Sequence, residues 1–97
     1  MTVHHLKADP EPFEQAWLGN KLNEIRFDDR NYVLGDTIEL HETRSSSDMM
    51  RYKPSDYPLS YTGRQIHAKV THIQKGYGLM HGWVALSFSK ITQGEFR

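Results

Sequence analysis

Lys21, Glu24 and Arg26 are the residues of this chain whose types and spacing best suit chemistry. Residues two apart on an extended strand share a face and stand about 7 Å apart, at a rise of ~3.3 Å per residue, so Glu24 and Arg26 would line one wall. Lys21, in the turn just before them, can face the same cavity. A lysine beside a carboxylate can hold a carbonyl or phosphate, and can supply or remove a proton where it is buried. An arginine adds a planar fork suited to phosphate or carboxylate. The same spacing also suits an ion pair that only closes a hairpin, because mixed charges near turns are abundant and most exposed pairs are structural.

Other chemistries find less support. The chain has no cysteine, which excludes disulfides, thiolate catalysis and cysteine-based zinc sites. Six histidines invite a metal, but His67 and His72 are five apart on a strand and should take opposite faces, while His41 and His81 have no spaced partner. No metal and no cofactor is expected. His5 and Lys7 would share a strand face beside the cleft or form an exposed strand end. No phosphate-cradling Gly-x-x-x-x-Gly-Lys run and no Gly-x-Ser-x-Gly elbow occurs, so triphosphate hydrolysis and serine esterase chemistry have no motif. Twelve Lys and Arg balance twelve Asp and Glu, so nucleic acid would have to be drawn by a local patch and not by net charge.

The elements that must position these residues fit one domain over residues 1–97, a length that supports one core and not two. No window approaches the ~18 apolar residues of a membrane span and no secretory stretch opens the chain, so a cytoplasmic protein without a membrane partner is expected. Asp9 should cap a short helix from Pro10 to Leu18, with Pro10 at its first position, Phe13 and Trp17 as core anchors and Gly19 as the left-handed stop. Strands are expected near Val3 to Lys7 and from Asn23 to Phe27, the latter with Ile25 and Phe27 inward. After a polar turn at Asp28 to Asn31 and a corner at Leu34-Gly35-Asp36, a strand from Thr37 to about Thr43 should point Ile38 and Leu40 inward. Gln65 to Ile73 and Gly82 to Lys90 should be central strands, with Ile66, Ala68 and Val70, then Val84, Leu86 and Phe88, on their core faces. The pattern fits a meander. Between Arg44 and Tyr61 an eighteen-residue polar stretch reads as a mobile surface loop. Its tyrosines, Tyr52, Tyr57 and Tyr61, can stack on a base, cover a partner or pin the loop down.

The run Gly19-Asn20-Lys21-Leu22-Asn23-Glu24-Ile25-Arg26 resembles the Gly-x-Lys-x-x-Glu-x-Arg signature of the ASCH family in the PUA-like superfamily. Within it, the chain is most similar to a small bacterial and phage branch of unknown function. The likeness rests on His4-His5-Leu6-Lys7, Glu24-Ile25-Arg26, Asp29-Arg30, Gly35-Asp36, Tyr61-Thr62-Gly63-Arg64 and the Gly76 to Leu79 run, and covers most of residues 3 to 89. It implies an α+β, mostly β fold: a small PUA-like β-barrel with one short N-terminal helix. It also implies a cleft for RNA, a nucleotide or a modified nucleoside at Lys21, Glu24 and Arg26, with Asp29, Arg30 and Thr62 as further ligand-binding candidates. The loop from Arg44 to Ser60 looks longer than in typical members, so its role does not transfer.

The resemblance leaves the reaction open. Some ASCH-like proteins are small amidohydrolases acting on acetylated cytidine, and in that case Lys21 and Glu24 would be catalytic. Those enzymes, however, carry Thr where Glu24 stands and need a second carboxylate downstream, where after Glu42 this chain offers only Asp48, Asp56 and Glu95. Ribonuclease chemistry with a metal, proposed for parts of the family, lacks an acidic pair for magnesium. A third expectation, from a different class, is a phage-encoded interaction module that grips a host protein through the loop at 44–61.

Overall fold

Alternating apolar residues in three of the expected strands dictate the centre of the molecule. In the computed structural model, which describes residues 2–91, strands β1 (Val3–Ala8), β2 (Asn23–Phe27), β3 (Thr37–Thr43), β4 (Tyr61–Lys75) and β5 (Trp83–Lys90) form one sheet in the order β1-β3-β4-β5-β2. β3, β4 and β5 are the expected antiparallel meander. β1 joins it parallel to β3, and β2 pairs antiparallel with β5 at the other edge.

The sheet curls into a half-barrel. Its two edge strands approach closely enough for Arg26 Nη2 on β2 to donate to the Lys7 carbonyl on β1. Leu6, Ile38, Leu40, Ala68, Val70, Val84 and Leu86 fill the concave side, and helix α1 (Pro10–Trp17) covers it with Phe13 and Ala16. The outcome is a mostly β, α+β fold. A second helix, the single turn α2 (Ser47–Met50), lies in the stretch expected to be loop, where the Ser46 hydroxyl accepts from the Met49 amide at 3.1 Å.

Four expectations need correction. Ile25 and Phe27 are 56 % and 51 % exposed and face outward. The reason is the register: Glu24 and Arg26 pair with Leu86 and Val84, both core residues, and cross-strand partners share a face. Trp17 is 44 % exposed, stacked on Phe13 at 5.8 Å and not inserted beside it. Asp9 occupies the cap position of α1, but its carboxylate instead accepts from the Ser47 amide at 3.1 Å and hydroxyl at 2.8 Å, tying α2 to the body of the fold.

The fourth concerns β4. A bulge between Val70 and His72 pairs His72 with Ser87 and Ile73 with Leu86. Thr71 is the extra residue, and it shifts the pleat by one. Ile73 therefore packs on the same core as Val70, and His72 stands on the outer face with His67, not opposite it. Among the described residues no helix is long and apolar enough to cross a membrane.

Candidate functional site

The turn after α1 fixes Lys21. Gly19, with φ of +84°, ends the helix in the left-handed conformation that costs glycine little. The Asn20 and Lys21 amides then fold back to the Gln15 carbonyl at 2.9 and 3.2 Å. Glu24 and Arg26 follow on β2, both turned to the concave side.

Glu24 stands between the two cations. Lys21 Nζ donates to Oε1 at 3.1 Å, while Arg26 donates to Oε2 from Nε at 3.0 Å and from Nη2 at 2.9 Å. Lys21 also donates to the Asn23 carbonyl. The sequence expectation that these three converge is met, with the cations held by Glu24 rather than fanned out from it.

This trio forms one wall of a cleft of about 720 Å³ that opens between the β1 and β2 edges. Cationic Lys7, Lys21, Arg26 and Arg30 outnumber acidic Asp9, Glu24 and Asp29 along its lining. Asp29 and Arg30 also line the cleft, with Arg30 Nε 4.0 Å from Asp29 Oδ1. Trp83 and Tyr61 add aromatic surface.

Tyr32 is the cleft residue that sequence reasoning missed. It is only 7 % exposed, its ring meets the His4 ring edge-on at 4.8 Å, and its hydroxyl is buried with no hydrogen-bond partner among the described residues. Burial pushes its phenol above the usual value, with Arg26 and then Arg30 partly offsetting the rise. A buried hydroxyl without a partner loses its hydration for nothing in return, which leaves it an unused donor beside the cleft. The only sequence signal was its place after the polar turn at Asp28 to Asn31.

Thr62 does not join the cleft. Its hydroxyl donates to Glu42 Oε1 at 2.7 Å, within a network built on Arg64. Arg64 and then Thr62 hold the Glu42 carboxyl below its ordinary range against the effect of burial. This network is structural, joining β3, β4 and α1. Of the other downstream acids, Asp48 sits on α2 beside Arg51 at 3.1 Å, Asp56 is exposed in the 44–61 segment, and Glu95 lies outside the described residues. Neither Asp48 nor Asp56 lines the cleft.

Tyr52 is 85 % exposed and pins nothing, whereas Tyr61 meets His41 edge-on at 6.1 Å. His41 has the partners its spacing did not reveal: parallel pairing of β1 with β3 brings His5, Glu39 and His41 together on the outer face.

With both walls of the cleft defined, the chain can be set beside known proteins. A family model described as a domain of unknown function (DUF3850) matches residues 3–88. The chain belongs to that family. The DUF3850 match runs from β1 into β5 and so takes in every cleft residue named above. A curated relative, the "Uncharacterized 12.9 kDa protein in GpA 3'region" of Escherichia phage P2, is 31 % identical over 71 residues, or 73 % of this chain and 53 % of the relative. The chain spans about half the length of that relative.

Proposed function

We propose that this DUF3850 chain is an ASCH-type, PUA-like domain that binds RNA, or a nucleotide or modified nucleoside, in the cleft between β1 and β2. One observation carries the reading: Glu24, gripped by Lys21 and Arg26, shares a cleft lining with Tyr32, whose buried hydroxyl has no hydrogen-bond partner among the described residues. At about 720 Å³ the space suits a nucleotide-sized ligand. Lys21, Arg30 and Lys7 supply charge for a phosphate, Glu24 accepts from a base or sugar donor, and Tyr32 donates to a carbonyl. Trp83 or Tyr61 offers a face for stacking.

Turnover is less well supported than binding. Both Glu24 oxygens already accept from a cation, and among the described residues no second carboxylate of the cleft stands on a central strand.

The test is fluorescence anisotropy of short single-stranded RNA at low and moderate salt, with nucleotides and nucleosides as competitors, on wild type and Lys21→Ala. Saturable binding that weakens by about ten- to a hundredfold in the variant supports the cleft, since a charge-assisted contact is worth about 1.5–3 kcal/mol. Equal affinity of the two proteins for every RNA and competitor rules it out.

A further inference from the structure

On the convex face of the sheet, away from the core, three strands meet in a row of ionisable side chains. His5 on β1 pairs in register with Glu39 on β3, and Glu39 pairs with His67 on β4. His41 stands two residues beyond Glu39, on the same face of β3. Four polar side chains from three hydrogen-bonded strands are thereby held by backbone geometry rather than by loops.

Their donor atoms converge on Glu39. His5 Nδ1 lies 2.8 Å and His41 Nε2 3.2 Å from the same carboxylate oxygen, Oε1. One donor atom from each of His5, Glu39 and His41 lies within 4.8 Å of the others. His67 Nδ1 lies 3.4 Å from Oε2, on the far side of the carboxylate.

The geometry points to a divalent transition-metal site, of the zinc, nickel or copper class, with His5, Glu39 and His41 as its ligands. Tetrahedral bonds of about 2.0–2.1 Å put neighbouring donor atoms roughly 3.3 Å apart. The two His–Glu separations are within half an ångström of that value, and the His5 and His41 nitrogens, within 4.8 Å of each other, close on an ion by rotation of the exposed His5 ring. Two imidazole nitrogens and one carboxylate are the donor set of transition ions, not of calcium or magnesium, which take oxygen.

Protonation sets the condition for loading. Each nitrogen that now faces Glu39 must offer a lone pair to the ion, so its proton moves to the other nitrogen of the same ring or leaves to solvent. Glu39 is mostly buried and His5 is open, which supplies a fixed anchor and an entry path. Three protein ligands leave the fourth position to water or to an incoming ligand. His5 and Tyr61, the residue against His41, also line the cleft, so the ion would sit at its rim.

The test is a zinc titration of the tag-free chain, by calorimetry and by competition with a chromophoric chelator. Wild type is expected to take up one equivalent saturably, with affinity at least tenfold weaker in Glu39→Gln and in His41→Ala and unchanged in His81→Ala, whose histidine lies outside the cluster. Uptake only at millimolar zinc, or equal uptake by Glu39→Gln and His41→Ala, overturns the site. Should a variant fail to fold, imidazole NMR of wild type decides: stoichiometric zinc must shift the His5 and His41 signals together, and shifts confined to other histidines overturn the assignment.

Discussion

Arg64 grips Glu42 with two parallel hydrogen bonds, Nε to Oε1 at 3.0 Å and Nη2 to Oε2 at 2.9 Å. The same guanidinium donates to Glu14 Oε1 on α1 at 2.7 Å and lies 4.9 Å from the centre of the Trp17 ring. One side chain on β4 thus holds β3 and the helix that covers the core. This also explains why Trp17 stays half outside: it is the platform for Arg64.

Arg64→Lys keeps the charge and loses the fork, which is not a conservative change at a bidentate site. The buried Glu42 carboxylate would keep at most part of its hydrogen bonding. Thermal unfolding should show a Tm several degrees below wild type, while Arg51→Lys, at an exposed pair with Asp48, should leave Tm unchanged. Equal values for the two variants would show that the Arg64 network contributes nothing.

Acid should unfold the protein through two buried carboxylates. Burial pushes Asp36 up, but hydrogen bonds from His4 at 2.8 Å and from the Val33 and Thr2 amides outweigh it and hold the carboxyl below its ordinary range. Glu42 is lowered as well, chiefly by Arg64. Because both folded-state values lie below the unfolded ones, their stabilisation is complete above the ordinary carboxylate range, about pH 4, and is lost as pH falls through the folded values. Urea midpoints from pH 7 down to pH 3 should therefore fall, and fall less steeply in Asp36→Asn. Parallel curves would rule out Asp36 as a source of the slope.

How much of this was legible depended on whether an element has one apolar face. β3, β4 and β5 do, so Ile38, Leu40, Ile66, Ala68, Val84 and Leu86 could be read as core from alternation alone. β2 alternates too, but its apolar residues lie outside, where Phe27 meets Trp83 edge-on at 5.9 Å. Alternation separates two faces without saying which is the core, and only the pairing with β5 decides it. The bulge at Thr71 has no residue signature, so the shared face of His67 and His72 could not be foreseen. Nor could the gathering of His5, Glu39 and His41, which follows from a parallel pairing between strands about thirty residues apart. The Lys21, Glu24 and Arg26 trio was legible because it is local, within one turn and one strand. Thr62 was misplaced because its distance from the trio is set by the topology of the whole sheet.

Tyr32→Phe should separate stability from binding. Removing a buried hydroxyl that has no partner among the described residues costs the folded protein nothing and can stabilise it by about 1 kcal/mol. If the cleft ligand accepts from that hydroxyl, affinity should drop about tenfold in the same variant, about 1.4 kcal/mol. Chemical denaturation and anisotropy measure the two separately. Destabilisation by more than 1 kcal/mol would mean that the hydroxyl serves the fold instead.

Gly82, just before β5, has φ of +87°, and a Cβ there would lie 2.7 Å from Phe27 Cε1. Two costs act on Gly82→Ala: the left-handed backbone, at about 1–2 kcal/mol for an L-residue, and the contact with the ring. Phe27 is half exposed and its ring can swing away, so the backbone cost should dominate. The Gly82 carbonyl also accepts from the Asp28 amide at 2.8 Å, fixing the turn that carries Asp29 and Arg30 into the cleft. Urea denaturation should show Gly82→Ala destabilised by about 1–2 kcal/mol, with most of that loss remaining in a Phe27→Leu background. A loss that vanishes in that background would assign the whole effect to the ring; no loss in either would mean that the turn relaxes freely and does not hold Asp29 and Arg30 in place.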